Sequence, residues 1–146
     1  MRRELPSLAA TDALAHAVAA LARAGDVILL EGPLGAGKTA FARAFLRAAS
    51  GDPALEVPSP TFTLVQSYDT RLGPVHHFDL WRLTGPVGLA ELGWEEARDG
   101  VVLVEWPDRL GTLRPQDALI IEFKPGEGEA RTAILSGWPA RAERLP

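Results

Sequence analysis

Hydrophobic positions along this chain recur at two spacings, and each spacing names an element. Leu14, Val18 and Leu21 fall on one face of a helix over about 12–23, with Asp12 and His16 interrupting an otherwise Ala-rich stretch. Behind Gly25-Asp26, the unbroken run Val27-Ile28-Leu29-Leu30 lacks polar alternation, as expected of a parallel strand covered on both faces. Helical spacing returns with Phe41, Ala44, Phe45 and Ala48 on one side and Arg43 and Arg47 on another, until Gly51-Asp52-Pro53 stops it. A polar, Pro-punctuated loop follows at 56–63, EVPSPTFT. Strands are predicted over 63–68 and 75–79, with a turn at Leu72-Gly73-Pro74 between them. A helix around 87–92, a buried strand over 101–104 and a turn or short helix from Pro107 come next. The last two strands, over 118–123 and 130–135, are joined through Pro125-Gly126-Glu127-Gly128 and read as a hairpin. Helix-linked strands early and a hairpin late predict a single α/β domain over 1–146. It has three layers and a mixed, mostly parallel sheet ending in an antiparallel hairpin, with 137–146 as a C-terminal tail.

The loop between the first buried strand and the second helix is where chemistry enters. Gly32, Gly37, Lys38 and Thr39 match the G-x-x-x-x-G-K-[ST] spacing of phosphate-binding loops, and strand, loop and helix stand in the required order. The domain is therefore expected to be of the P-loop NTPase kind. Glycines at 32, 35 and 37 let main-chain N–H groups turn inward as an anion nest. Lys38 supplies a point charge, and the Thr39 hydroxyl is a hard oxygen ligand suited to Mg²⁺. The helix aims its positive end at the phosphates. Pro33 has no N–H and contributes no donor to the nest.

Composition narrows what the loop serves. A chain of 146 residues supports one core and buries roughly 70% of its unfolded surface. A net charge of -4 argues against a protein whose main task is to grip nucleic acid, so any link to RNA is expected to be indirect. Cysteine is absent, which leaves no disulfide framework, thiolate nucleophile or Cys-based zinc site and fits a reducing cytoplasm. Arg2-Arg3 followed by an Ala-rich stretch to Ala22-Arg23-Ala24 imitates a secretory signal, but Glu4, Asp12 and His16 interrupt it, and the cytoplasm is the expected location. No stretch approaches the ~20 apolar residues that span a membrane.

Two acids lie where a phosphate site needs them. Glu105 ends the apolar run Val101-Val102-Leu103-Val104, the pattern of a strand that delivers a carboxylate to Mg²⁺ or to attacking water, and Asp79 closes its strand in the same way. A charged residue at a strand end is also commonplace. Thr61, in Ser59-Pro60-Thr61-Phe62-Thr63, sits where a switch loop senses the γ-phosphate through its metal; an ordinary hydroxyl-bonded turn explains it equally well. There is no Asn in the chain and hence no Asn-Lys-x-Asp guanine signature, so ATP is the expected nucleotide. A small-molecule kinase using Arg71 or Arg82 in a lid stays open, as does an ATP-responsive binding module using Trp81, Trp94 and Trp106.

Taken in order, Thr11, GPLGAGKT at 32–39, SPTFTLV at 59–65, HFDLWRL at 77–83, ELG at 91–93 and VEWP at 104–107 resemble the TsaE (YjeE) family over most of the chain. That resemblance implies an ATPase that assists synthesis of threonylcarbamoyladenosine on tRNA. In that family TsaD, bound to TsaB, performs the transfer from threonylcarbamoyl-AMP made by TsaC, and ATP hydrolysis resets the complex. It also implies ATP/ADP and Mg²⁺ as cofactors, Lys38, Asp79 and Glu105 as catalytic residues, and Thr39 and Glu105 at the metal. Thr11, Gly32, Leu34, Gly35, Ala36, Gly37, Lys38, Thr39, Ala40, Thr61, Trp106 and Arg131 are the implied nucleotide contacts. The sequence departs from the family pattern twice, with Trp81 where Tyr is usual and Pro33 where an acid is common.

Overall fold

A computed structural model describes residues 1–146. In chain order its elements are β1 (Arg2–Leu5), α1 (Leu8–Leu21), β2 (Val27–Glu31), α2 (Lys38–Ser50), β3 (Val65–Thr70), β4 (Gly73–Asp79), α3 (Trp94–Ala97), β5 (Val101–Glu105), β6 (Leu119–Pro125), β7 (Arg131–Ser136) and α4 (Pro139–Ala142). Two 3₁₀ turns, Ala90–Leu92 and Pro107–Leu113, flank α3 and β5. One sheet takes all seven strands in the order β1-β7-β6-β2-β5-β4-β3.

The four central strands, β6, β2, β5 and β4, run parallel, and antiparallel partners close both edges. β1 is antiparallel to β7 and so runs with the central four. The expected mixed, mostly parallel sheet is thus present with its parallel part in one block. Burial explains the choice: every residue of β5 and the first four of β2 are buried, so both strands are apolar on both faces. Ile28 and Leu30 point to one side with Leu14, Val18, Phe41 and Phe45 of α1 and α2. Val27 and Leu29 point to the other, with Phe78, Leu80, Leu89, Trp94 and Leu110. Helix, sheet and short-helix layers follow from that alternation.

Several elements differ from the sequence-based expectation. α1 starts at Leu8, earlier than the hydrophobic face showed, because the Ser7 hydroxyl accepts the Ala10 N–H at 3.2 Å and caps the helix. The stretch that imitates a signal peptide divides into the edge strand β1, with Leu5 buried, and the helix α1. β3 begins two residues late because Leu64 takes a left-handed φ of 70° and its carbonyl accepts the Asp79 N–H at 2.9 Å. The helix around 87–92 is only the 3₁₀ turn Ala90–Leu92 followed by the single turn of α3. Trp94 is buried edge-on to Phe78 at 5.4 Å, so it belongs to the core.

The stretch 137–146 is no loose tail. Trp138 and Leu145 are buried, and Arg141 holds Asp26 in a fork of 2.6 and 2.9 Å while donating to the Leu21 carbonyl at 3.0 Å. Gly137 turns the chain into this segment at φ 91°, where a Cβ would fall on the carbonyl oxygen of Ala118. Both conditions resist any other residue, each costing about 1–3 kcal/mol. At about 3 °C per kcal/mol for a chain of this length, Gly137→Ala is expected to lower the thermal midpoint by roughly 6–18 °C, read by calorimetry; an unchanged midpoint would mean the segment adds nothing to the fold. No helix is long and apolar enough to cross a membrane.

Candidate nucleotide site

Where β2 ends, the backbone presses so close to β6 that a Cβ on Gly32 would lie 2.6 Å from the Phe123 carbonyl oxygen, and φ there is 139°. Glycine alone fits that approach. The loop then turns through Gly35 and Gly37 into α2, whose first residues are Lys38 and Thr39. No side chain caps this helix start, so its leading N–H groups remain available to an anion, with the dipole of a 13-residue helix behind them.

Strand register brings the acids to the same place. Leu30 stands opposite Glu105 across β2 and β5, and Asp79 opposite Glu105 across β4 and β5. Glu105, 2% exposed, accepts the Thr39 hydroxyl through Oε1 at 2.8 Å and hydrogen-bonds His77 Nε2 through Oε2 at 2.7 Å. Asp79, also buried, accepts the Thr61 hydroxyl through Oδ2 at 3.2 Å and the Trp81 N–H through Oδ1 at 3.0 Å. Ser59 Oγ lies 2.8 Å from Thr61 Oγ1.

Lys38 is held inside this cluster. Its ammonium donates to the Gly32 carbonyl at 2.5 Å and lies 3.3 Å from the centre of the Trp106 ring. Burial pushes its pKa down, and the negative charges of Glu105, Asp79 and Asp108 oppose that. Trp106 follows Glu105 in a left-handed conformation, φ 59° and ψ 53°, and packs on Trp81 with ring centres 4.4 Å apart. A non-glycine residue in that region is uncommon and marks a constrained site.

A cavity of about 350 Å³ joins these parts. Leu34, Gly35, Gly37, Lys38, Thr39, Ala40, Thr61, Asp79, Glu105, Trp106 and Arg131 all line it, together with Ser59, to which the sequence assigned no role. Arg131 comes from β7 and lies over the loop, donating to the Gly35 carbonyl at 3.1 Å. Three implied contacts are not on the lining. Gly32 lies beneath the loop, Ala36 is fully buried, and Thr11 is enclosed in α1 with its hydroxyl unpartnered. Arg82 is also off the lining, packed on the exposed Phe62 ring at 4.8 Å. A larger groove of about 590 Å³ runs between α1 and α2 and shares Ala40, but it has neither the loop glycines nor the paired acids.

The donors present fit Mg²⁺ shared with a nucleotide. A hydroxyl and a carboxylate, both hard oxygens, meet from two elements beside the loop. No group of three or more His, Cys, Asp or Glu side chains forms a protein-only metal cage.

The family model for the threonylcarbamoyl adenosine biosynthesis protein TsaE matches residues 5–133. This chain belongs to the TsaE family. Among TsaE relatives, the Bacillus subtilis protein is 36% identical over 137 residues, covering 92% of this chain and 84% of that one. The Rickettsia felis protein is 41% identical over 99 residues, covering 67% of this chain and 57% of its own length. The chain thus aligns with little more than half of that relative. The crystal structure of Bacillus subtilis YdiB matches with a TM-score of 0.80 at 30% identity, covering 99% of this chain and 93% of that one. The TsaE match spans every residue that lines the cavity.

His77, quoted within HFDLWRL, is the residue to which the sequence reading gave no role. It stands two residues before Asp79 on β4, and period-2 alternation puts both on one face of the sheet. That spacing was the signal.

Proposed function

We propose that this chain is a Mg²⁺-dependent ATPase of threonylcarbamoyladenosine synthesis on tRNA, and that its hydrolysis resets a TsaB–TsaD complex between rounds. The observation that carries the reading is the 2.8 Å meeting of Thr39 and Glu105 beside a glycine loop and a second acid. Thr39 and Glu105 would hold the ion. Bound Mg²⁺ neutralises charge on the phosphate oxygens. Lys38 and the first N–H groups of α2 bind the phosphates, and Asp79, through Thr61, orients the water that attacks. Such a role places the chain in the cytoplasm, with tRNA met through the complex and no membrane partner.

Two features favour a partner-completed site. Besides Lys38, which is occupied by Trp106, the only cation on the lining is Arg131, and it is committed to three backbone carbonyls. Around the same mouth, Leu34 is 82% exposed, Phe62 80% and Trp81 46%, an apolar rim suited to a protein surface. Hydrolysis by the isolated chain is therefore expected to be slow, because charge on the transferring phosphoryl group is only partly met. Adding TsaB–TsaD is expected to raise turnover at saturating ATP at least ~10-fold, well within what a supplied cation does elsewhere. Thr61→Ala is expected to blunt that rise more than it weakens basal ATP binding. Phosphate release and modified-nucleoside formation, followed together with purified TsaB–TsaD and tRNA, test this. A fully active chain indifferent to the complex would return the reading to a kinase or a free-standing ATPase.

A further inference from the structure

We infer that His77 is a positioning residue that fixes the Glu105 carboxylate for the cation site; the inference rests on the Mg²⁺-ATPase reading. Its ring is wholly buried in the middle of β4, and Nε2 lies 2.7 Å from Oε2 of Glu105. Nδ1 is buried with no partner, so this bond is the only polar work the ring performs. A carboxylate accepts, so the ring donates from Nε2 to Oε2. That bond orients the Glu105 carboxylate from below while Thr39 meets its other oxygen.

The geometry shows why Glu105 needs holding. Leu103, not Glu105, is the register partner of His77, so the Glu105 side chain leans back one step along the sheet to meet the ring. Each carboxylate oxygen then has one donor, Thr39 on Oε1 and His77 on Oε2, and the side chain is 3% exposed. Take His77 away and Oε2 has no hydrogen-bond donor left. The Glu105 side chain is then free to turn away from Thr39 and from the place of a cation. A polar ring with one orphan nitrogen at a buried strand position costs stability that an aliphatic side chain there would not, which points to a use for the one bond it makes.

The test uses the full chain with His77→Gln, His77→Asn and His77→Leu. The amide nitrogen of Gln reaches the place of Nε2, Asn falls short, and Leu has no donor. For each, the affinity for a non-hydrolysable ATP analogue is measured by calorimetry with and without Mg²⁺, alongside the thermal midpoint. Expected results are Mg²⁺-free affinities within about 2-fold of the parent throughout, with the Mg²⁺ enhancement kept in His77→Gln. It should fall roughly 10-fold or more in His77→Asn and His77→Leu, in line with other outer-sphere changes at metal sites. If the enhancement follows the thermal midpoint across the series, or if His77→Leu keeps it, His77 is a core residue and the inference is overturned. A parent chain whose binding and turnover ignore Mg²⁺ would overturn the Mg²⁺-ATPase reading itself, a result distinguishable from the first.

Discussion

Lys38→Ala is expected to lower ATP turnover by roughly 10²–10³-fold, the size of losing one preorganised donor to transition-state charge, and to weaken ATP binding as well. Lys38 is the only ammonium on the cavity lining, and the neighbouring guanidinium of Arg131 is tied to the carbonyls of Gly35, Gly128 and Ala130. The main-chain nest would then face the phosphates with little compensating charge. The fold should survive the change. Burial depresses the Lys38 pKa, so the folded chain holds that proton less firmly than the unfolded chain, and removing the ammonium relieves a cost. Phosphate release at saturating ATP and the thermal midpoint together check this. A parent-like rate in the variant would remove the phosphate-loop reading.

Glu105→Gln is expected to keep fold and Mg²⁺-free nucleotide affinity, the latter within about 3-fold, while Mg²⁺-dependent turnover falls ~10²-fold or more. The amide keeps the volume of the side chain and an oxygen that can accept from either Thr39 or His77, but it carries no charge for the ion. Asp79→Asn is the control. Asp79 lies opposite Glu105 in register and shares the cavity, yet it touches Thr61 and the Trp81 amide, not Thr39. Should Glu105→Gln turn over normally while Asp79→Asn is inactive, the two acids exchange roles.

What the sequence determined by itself is local. Val27-Ile28-Leu29-Leu30, the glycine spacing at 32, 35 and 37 and the helical repeat from Phe41 lie within a single strand-loop-helix unit. Its hydrogen bonds and φ angles depend on near neighbours, so spacing and residue type are sufficient to read it. The acids at 79 and 105 were legible as strand ends for the same reason. Which strand neighbours which was not. The Thr39–Glu105 bond joins residues 66 apart, the Arg131–Gly35 bond residues 96 apart, and the Arg141–Asp26 fork residues 115 apart. No spacing rule reaches over such distances, because strand order is chosen by the burial of whole faces. Ile28, Leu30 and Leu103 pack under α1 and α2, Val27, Leu29 and Val104 under Trp94 and Leu110, and register follows from that. Only once β2, β5 and β4 lie side by side does His77 meet Glu105, Trp106 cover Lys38, and one loop with two strand ends become one site.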